Sequence, residues 1–138
     1  MPGKVLYIED NPMNTRLIAV ILRRTNYVFL NAESGPEGIK MAQDYLPDLI
    51  LLDINMPDMD GIEVCRRLRA LPQFSKTSII AVTAWVTEDE RESYIRKGFD
   101  DFLPKPVNRF VLLRMIDERI GHLNESVKDD TGEFASQS

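Results

Sequence analysis

Three carboxylates, a hydroxyl and an amine stand at the ends of apolar runs, and this placement says what chemistry the chain can do. Glu9 and Asp10 follow Val5-Leu6-Tyr7-Ile8, and Asp53 closes Leu49-Ile50-Leu51-Leu52. Thr83 follows Ile79-Ile80-Ala81-Val82, and Lys105-Pro106 comes just after Phe102-Leu103. Branched apolar runs without alternation suit parallel strands covered on both faces. Open parallel sheets bind ligands at the carboxyl ends of their strands, so the five groups are expected to share one mouth. Carboxylates gathered there repel one another unless a cation joins them, and an all-oxygen set favours a hard ion; Mg2+ is the expected cofactor. Such an ion keeps positions for water and for a phosphoryl oxygen. Phosphoryl transfer needs positioning and charge neutralisation, which Mg2+, the Lys105 amine and the Thr83 hydroxyl supply around an attacking carboxylate. Asp53 is the candidate nucleophile.

Bringing these groups together is the work of the elements between them. Strand-like runs alternate with amphipathic segments from residue 4 to about residue 120, the pattern of βαβ units in a parallel sheet. Five strands and five helices are expected. Asn11-Pro12 offers an N-cap with proline at the first helical position, while Ser34-x-x-Glu37 and Thr87-x-x-Glu90 read as capping boxes. Asp60 and Asn108 are expected to cap the other two helices. The stripes expected to face the sheet are Leu17, Ile18, Ile21 and Leu22 in helix one, and Val64, Cys65, Leu68 and Leu71 in helix three. For helix five they are Phe110, Leu113, Ile116 and Ile120. Helix four, Glu88 to Lys97, has mainly Tyr94 and Ile95 to hold it, so it is expected to be the mobile one. The folded domain is expected over residues 1–121, with 122–138 a polar, disordered tail.

The bulk numbers narrow the function classes. A chain of 138 residues with 43% hydrophobic content fits one domain with one core. A net charge of -5 and no Lys/Arg-rich run argue against direct binding of nucleic acid. Cys65 is the sole cysteine, which excludes an internal disulfide and a cysteine-based zinc site. No apolar stretch approaches a membrane span and no signal-peptide core precedes the first strand, so a cytoplasmic location is expected.

Taken together, Glu9-Asp10-Asn11, Asp53 with Met56-Pro57 and Asp60-Gly61, Thr83-Ala84 and Lys105-Pro106 resemble the receiver domain of two-component response regulators, along residues 4 to 120. The resemblance implies a flavodoxin-like, doubly wound five-stranded parallel sheet in strand order 2-1-3-4-5. It implies that Asp53 accepts phosphate from a sensor histidine kinase or histidine phosphotransfer protein. It also implies that Asp10, Asp53 and the backbone carbonyl of Asn55 hold Mg2+ with Glu9 assisting, and that Pro106 follows a cis bond. Thr83 and Phe102 would form the switch, Thr83 moving toward the phosphoryl group and Phe102 following it inward. The downstream protein target would then dock on the face of helix four, strand five and helix five, by a monomer or a phosphorylation-dependent dimer. Phe102 stands where tyrosine is often found, so packing rather than a phenolic hydrogen bond would carry the signal. Trp85 is expected to restrict the water that hydrolyses the acyl phosphate.

Each residue also has a plain structural role to set beside this. Asp53 alone reads as a turn residue, Glu9-Asp10 as helix-entry charge, Lys105 as a solvated lysine, and Cys65 as a small core residue. His122 is expected at the surface. Joint placement favours the switch: a protein that is phosphorylated rather than an enzyme acting on others. An aspartyl-phosphate hydrolase would need a second acid two positions after Asp53, where Asn55 stands. A flavin carrier would need a phosphate-cradling loop where Glu9-Asp10 would repel it. A degenerate receiver serving only as a binding module would not need the acceptor positions, which are intact.

Overall fold

The computed structural model describes residues 2–57, 59–84 and 87–131, with residues 124–131 described by their backbone alone. Trp85 and the segment after Thr131 lie outside the described residues. Strands β1 (Lys4–Ile8), β2 (Val28–Ala32), β3 (Leu49–Asp53), β4 (Ser78–Thr83) and β5 (Asp101–Pro104) alternate with helices. These are α1 (Pro12–Leu22), α2 (Gly35–Tyr45), α3 (Gly61–Arg69), α4 (Glu88–Arg96) and α5 (Arg109–Thr131), with a short 3-10 turn at Pro72–Phe74. All pairings are parallel and the order is β2-β1-β3-β4-β5, the expected flavodoxin-like topology.

The strand residues point alternately to two core layers. Leu6, Ile8, Ile50, Leu52, Ile79 and Ala81 meet Ala42 of α2, Val64 and Leu68 of α3, and Tyr94 of α4. Val5, Tyr7, Leu49, Leu51, Ile80 and Val82 meet Ile18 and Leu22 of α1, and Leu112, Ile116 and Ile120 of α5. Every residue of β3 is buried, which explains its unbroken apolar run.

Side-chain caps stand at the expected helix starts. Asn11 accepts from the Met13 N–H, Ser34 from Glu37, Asp60 from Glu63, and Asn108 from both Phe110 and Val111. Thr87 and Glu90 complete a reciprocal capping box on α4. At α2 only half of that motif forms, because the Glu37 carboxylate accepts from the Glu33 N–H instead.

Several expectations about the helices need correction: Leu71 lies beyond the end of α3, at the start of the 3-10 turn, rather than on the stripe of that helix. Leu17 and Phe110 are exposed rather than buried. In α5 the inward stripe is Leu112, Ile116 and Ile120, spaced four apart, and Phe110 lies on another side of the helix. The helix also continues past the expected boundary at Gly121, through Leu123, which packs against the same core layer, to Thr131. Tyr94 is the one buried residue of α4, as the weak anchoring of that helix implies, and its ring meets Phe99 edge-on with centroids 5.8 Å apart. Cys65 is a buried core residue, and His122 is exposed.

Candidate functional site

Parallel register delivers the carboxyl ends of β1, β3, β4 and β5 to one edge. Asp53 pairs with Val82, and Thr83 with Pro104, so the loop after β5 begins beside the end of β4. The Lys105 N–H donates to the Thr83 carbonyl at 2.8 Å, and the following Lys105–Pro106 peptide is cis. Lys105 thereby reaches back across the mouth: its Nζ lies 3.2 Å from Asp53 Oδ1 and 3.5 Å from Glu9 Oε1.

The carboxyl group of Asp53 is held from two directions, since Oδ1 also accepts the Asn55 N–H at 3.1 Å. The loop after it is pinned by Gly61, whose N–H donates to the Ile54 carbonyl at 3.0 Å. A Cβ at Gly61 would stand 2.6 Å from the Asp53 carbonyl oxygen and 2.8 Å from Ile54 Cα. Only glycine permits this approach of α3 to the acceptor strand. Asp60 and Gly61 thus divide the labour, one capping the helix and the other letting it seat.

Oxygens of Glu9, Asp10 and Asp53 all lie within 4.8 Å of one another, with Glu9 and Asp53 buried and Asp10 exposed. Burial, and then the hydrogen bond and charge of Glu9, push the Asp53 carboxyl up to about 6. The Asn55 N–H and Lys105 pull in the other direction without prevailing. Burial also disfavours ionised Glu9, but hydrogen bonds from Tyr7, Asp53 and Asn11 and the charge of Lys105 outweigh it, and the Glu9 carboxyl is lowered. Glu9 is therefore the member that stays ionised, and a proton on Asp53 relieves the repulsion. A cation among the same oxygens relieves it equally, and an all-oxygen donor set open to solvent at Asp10 fits a hard divalent ion.

The sequence-derived residues Glu9, Asp10, Asp53 and Lys105 thus converge. Thr83 is buried at the end of β4 next to them, and Asn55 is exposed at the rim. Phe102 is half-buried on β5, outside this cluster, with the Arg91 guanidinium 4.0 Å above its ring. A cavity of about 430 Å³ opens beside it between α4, β5 and α5, lined by Ala84, Glu88, Arg91, Pro104 and Met115 among others.

Two contributors escaped the sequence reading. The fully buried Tyr7 hydroxyl donates to Glu9 Oε1 at 2.8 Å, and Asn14 Nδ2 donates to the same oxygen at 3.1 Å. The available signal was a phenol in an aliphatic strand two residues before an acid, since positions i and i+2 share a face.

The response regulator receiver domain family matches residues 5–117 of the chain. The chain belongs to this family. The polar-differentiation response regulator DivK of Brucella anthropi is 31% identical over 113 residues, covering 80% of this chain and 92% of DivK. The receiver domain of the sensor histidine kinase PA1611 from Pseudomonas aeruginosa, solved with magnesium in its active-site cleft, aligns with a TM-score of 0.79 at 32% identity. That alignment covers 88% of this chain and 99% of the other. The receiver domain of Saccharomyces cerevisiae Ssk1, solved with the histidine phosphotransfer protein Ypd1, aligns with a TM-score of 0.80 at 26% identity, covering 86% and 88%. Some relatives are far longer: against the Escherichia coli histidine kinase BarA the chain is 38% identical over 75% of its length but spans only 11% of BarA. As a receiver domain the chain is a phosphorylation-activated signalling switch. No helix among the described residues is long and apolar enough to cross a membrane.

Proposed function

We propose that Asp53 is the phosphoacceptor of this receiver domain, and that a sensor histidine kinase or a histidine phosphotransfer protein supplies the phosphoryl group. The observation that carries this reading is the Lys105 ammonium 3.2 Å from Asp53 Oδ1, inside a cluster of three acids. An Asp53 carboxylate oxygen forms the new P–O bond as the P–N bond of the donor imidazole breaks, and the departing nitrogen takes up a proton. Lys105 neutralises charge gathering on the phosphoryl oxygens, and Thr83 donates its hydroxyl to one of them. The Asn55 N–H and Lys105 hold the carboxylate so that little motion is needed at the moment of transfer. Asp10, Asp53 and the Asn55 carbonyl would hold Mg2+ with Glu9 in support, and the bound ion would neutralise phosphoryl charge. The magnesium in the cleft of the PA1611 receiver domain supports the choice of ion.

Phosphorylation would give Thr83 a partner that exists in only one of two arrangements, and Phe102, beside the α4–β5 cavity, would follow it. The face of α4, β5 and α5 would present the result to a downstream protein, in the cytoplasm and as a monomer or a phosphorylation-dependent dimer. The only catalysis in this reading is self-directed transfer and hydrolysis at Asp53. Ypd1 beside Ssk1 supports a phosphotransfer protein as one class of donor.

Incubation with Mg2+ and acetyl phosphate, followed by intact mass, tests the reading. Wild type is expected to gain one phosphoryl group and Asp53→Asn none. Equal gain by both would place the acceptor elsewhere.

A further inference from the structure

The Tyr7 side chain is fully buried in the core layer beneath α1 and α5, among Ile18, Leu51 and Leu103, yet its hydroxyl donates to Glu9 Oε1 at 2.8 Å. The strand backbone beneath it is tied down as well, because Asn31 Nδ2 donates to the Tyr7 carbonyl at 2.9 Å. Asn14, from the first turn of α1, reaches the same Glu9 oxygen at 3.1 Å. The Asn11 N–H takes one position on Oε2 at 3.1 Å. A carboxylate oxygen accepts about two hydrogen bonds. Oε1 is therefore filled by Tyr7 and Asn14, with Lys105 Nζ 3.5 Å away.

A donor mounted in the core cannot follow Glu9 if that side chain rotates, whereas Lys105, with its Nζ 3.5 Å from Oε1, is a flexible competitor. Without Tyr7 the carboxylate, already 3.5 Å from Lys105 Nζ, would be free to rotate closer to that ammonium, shifting both the acceptor meant for a cation and the ammonium meant for Asp53. We propose that Tyr7, assisted by Asn14, is a positioning residue that holds Glu9 in its metal-supporting orientation, so that the carboxylate keeps its 3.5 Å spacing from Lys105 rather than closing further on it. This inference rests on the proposed metal-assisted phosphoryl acceptance at Asp53. It adds that the affinity of the acid cluster for a divalent cation is set partly from inside the core.

The test is a double-mutant cycle read by cation binding alone, with Mn2+ as a paramagnetic stand-in for Mg2+ and the free ion counted by electron paramagnetic resonance. Removing a partner that orients a metal-supporting group weakens binding by about 10- to 100-fold, and Tyr7→Phe is expected to do so. In a Glu9→Gln background, where there is no carboxylate to orient, Tyr7→Phe should change the dissociation constant by less than about 2-fold. Equal losses in both backgrounds, or no loss in either, would overturn the role of Tyr7. Asn14→Ala removes the second donor from the helix surface without opening the core, and its loss should likewise vanish beside Glu9→Gln. That second cycle decides the matter if Tyr7→Phe does not fold. Absence of Mn2+ binding by the wild type would overturn the metal reading and this inference together, while the acetyl phosphate mass shift reports on Asp53 separately.

Discussion

Lys105 and Asp53 are 52 positions apart in the chain and 3.2 Å apart at Nζ and Oδ1. Lys105 also lies 3.5 Å from Glu9 Oε1, so one ammonium faces two buried carboxyl groups. It is the cation that makes their approach tolerable. Its side chain is about a quarter exposed, and screening of the pair is correspondingly reduced but not absent.

Lys105→Ala is therefore expected to slow phosphoryl uptake more than it weakens the fold. Loss of one preorganised group that stabilises developing charge costs about 10²–10³-fold in rate. A time course of intact mass with acetyl phosphate and saturating Mg2+ measures this. A rate within 2-fold or so of wild type would remove Lys105 from the transfer step.

Gly61→Ala is expected to destabilise the protein although alanine favours helices. Its Cβ would meet backbone atoms at 2.6 and 2.8 Å, which cannot rotate away. The shift forced on α3 or on the Asp53 loop should cost about 1–3 kcal/mol in urea unfolding, with a lower yield of phosphorylated protein. Unchanged stability would mean that the loop seats without this contact.

The stabilisation by Mg2+ should depend on pH. With its carboxyl at about 6 rather than 3.8, folded Asp53 binds a proton more tightly than the unfolded chain does. Its contribution is greatest below the unfolded value and is lost as pH rises through about 6. Glu9 has the opposite sign: its contribution is present above 4.5 and is lost as pH falls through its lowered folded value. Above about 6 both groups are charged, and their repulsion is what a divalent cation relieves. The rise in Tm on adding MgCl2 should be larger at about pH 8 than at about pH 5. A rise independent of pH would indicate binding elsewhere.

Arg91→Ala removes the guanidinium 4.0 Å above Phe102. Arg91 is exposed, so the loss should be small, about 0.5–1 kcal/mol in urea unfolding. The sharper readout is the Phe102 ring in a selectively labelled NMR sample, whose resonances should report increased exchange. Unaltered ring resonances would show that β5 packing alone holds Phe102.

The alternation of apolar runs with capped amphipathic segments was legible because both signals are local: periodicity and caps involve residues within a few positions of each other. They determined the five strands and five helices, the helix starts at Asn11, Ser34, Asp60, Thr87 and Asn108, and the strand ends that carry Glu9, Asp10, Asp53, Thr83 and Lys105. Tertiary structure decided what depends on neighbours distant in the chain. Phe110 and Leu112 are equally apolar in sequence, and only docking against the sheet turned Leu112 inward. Glu37 accepts from the Glu33 N–H rather than from its own N-cap, and α5 runs on past Gly121, where Leu123 still packs on the core. Tyr7 reads as one more strand residue until β1 sets its hydroxyl against Glu9 and α1 brings Asn14 to the same oxygen. Side-chain type is written in the sequence; the partner of a buried polar atom is determined by packing, where leaving that atom unpaired costs more than the bond itself contributes.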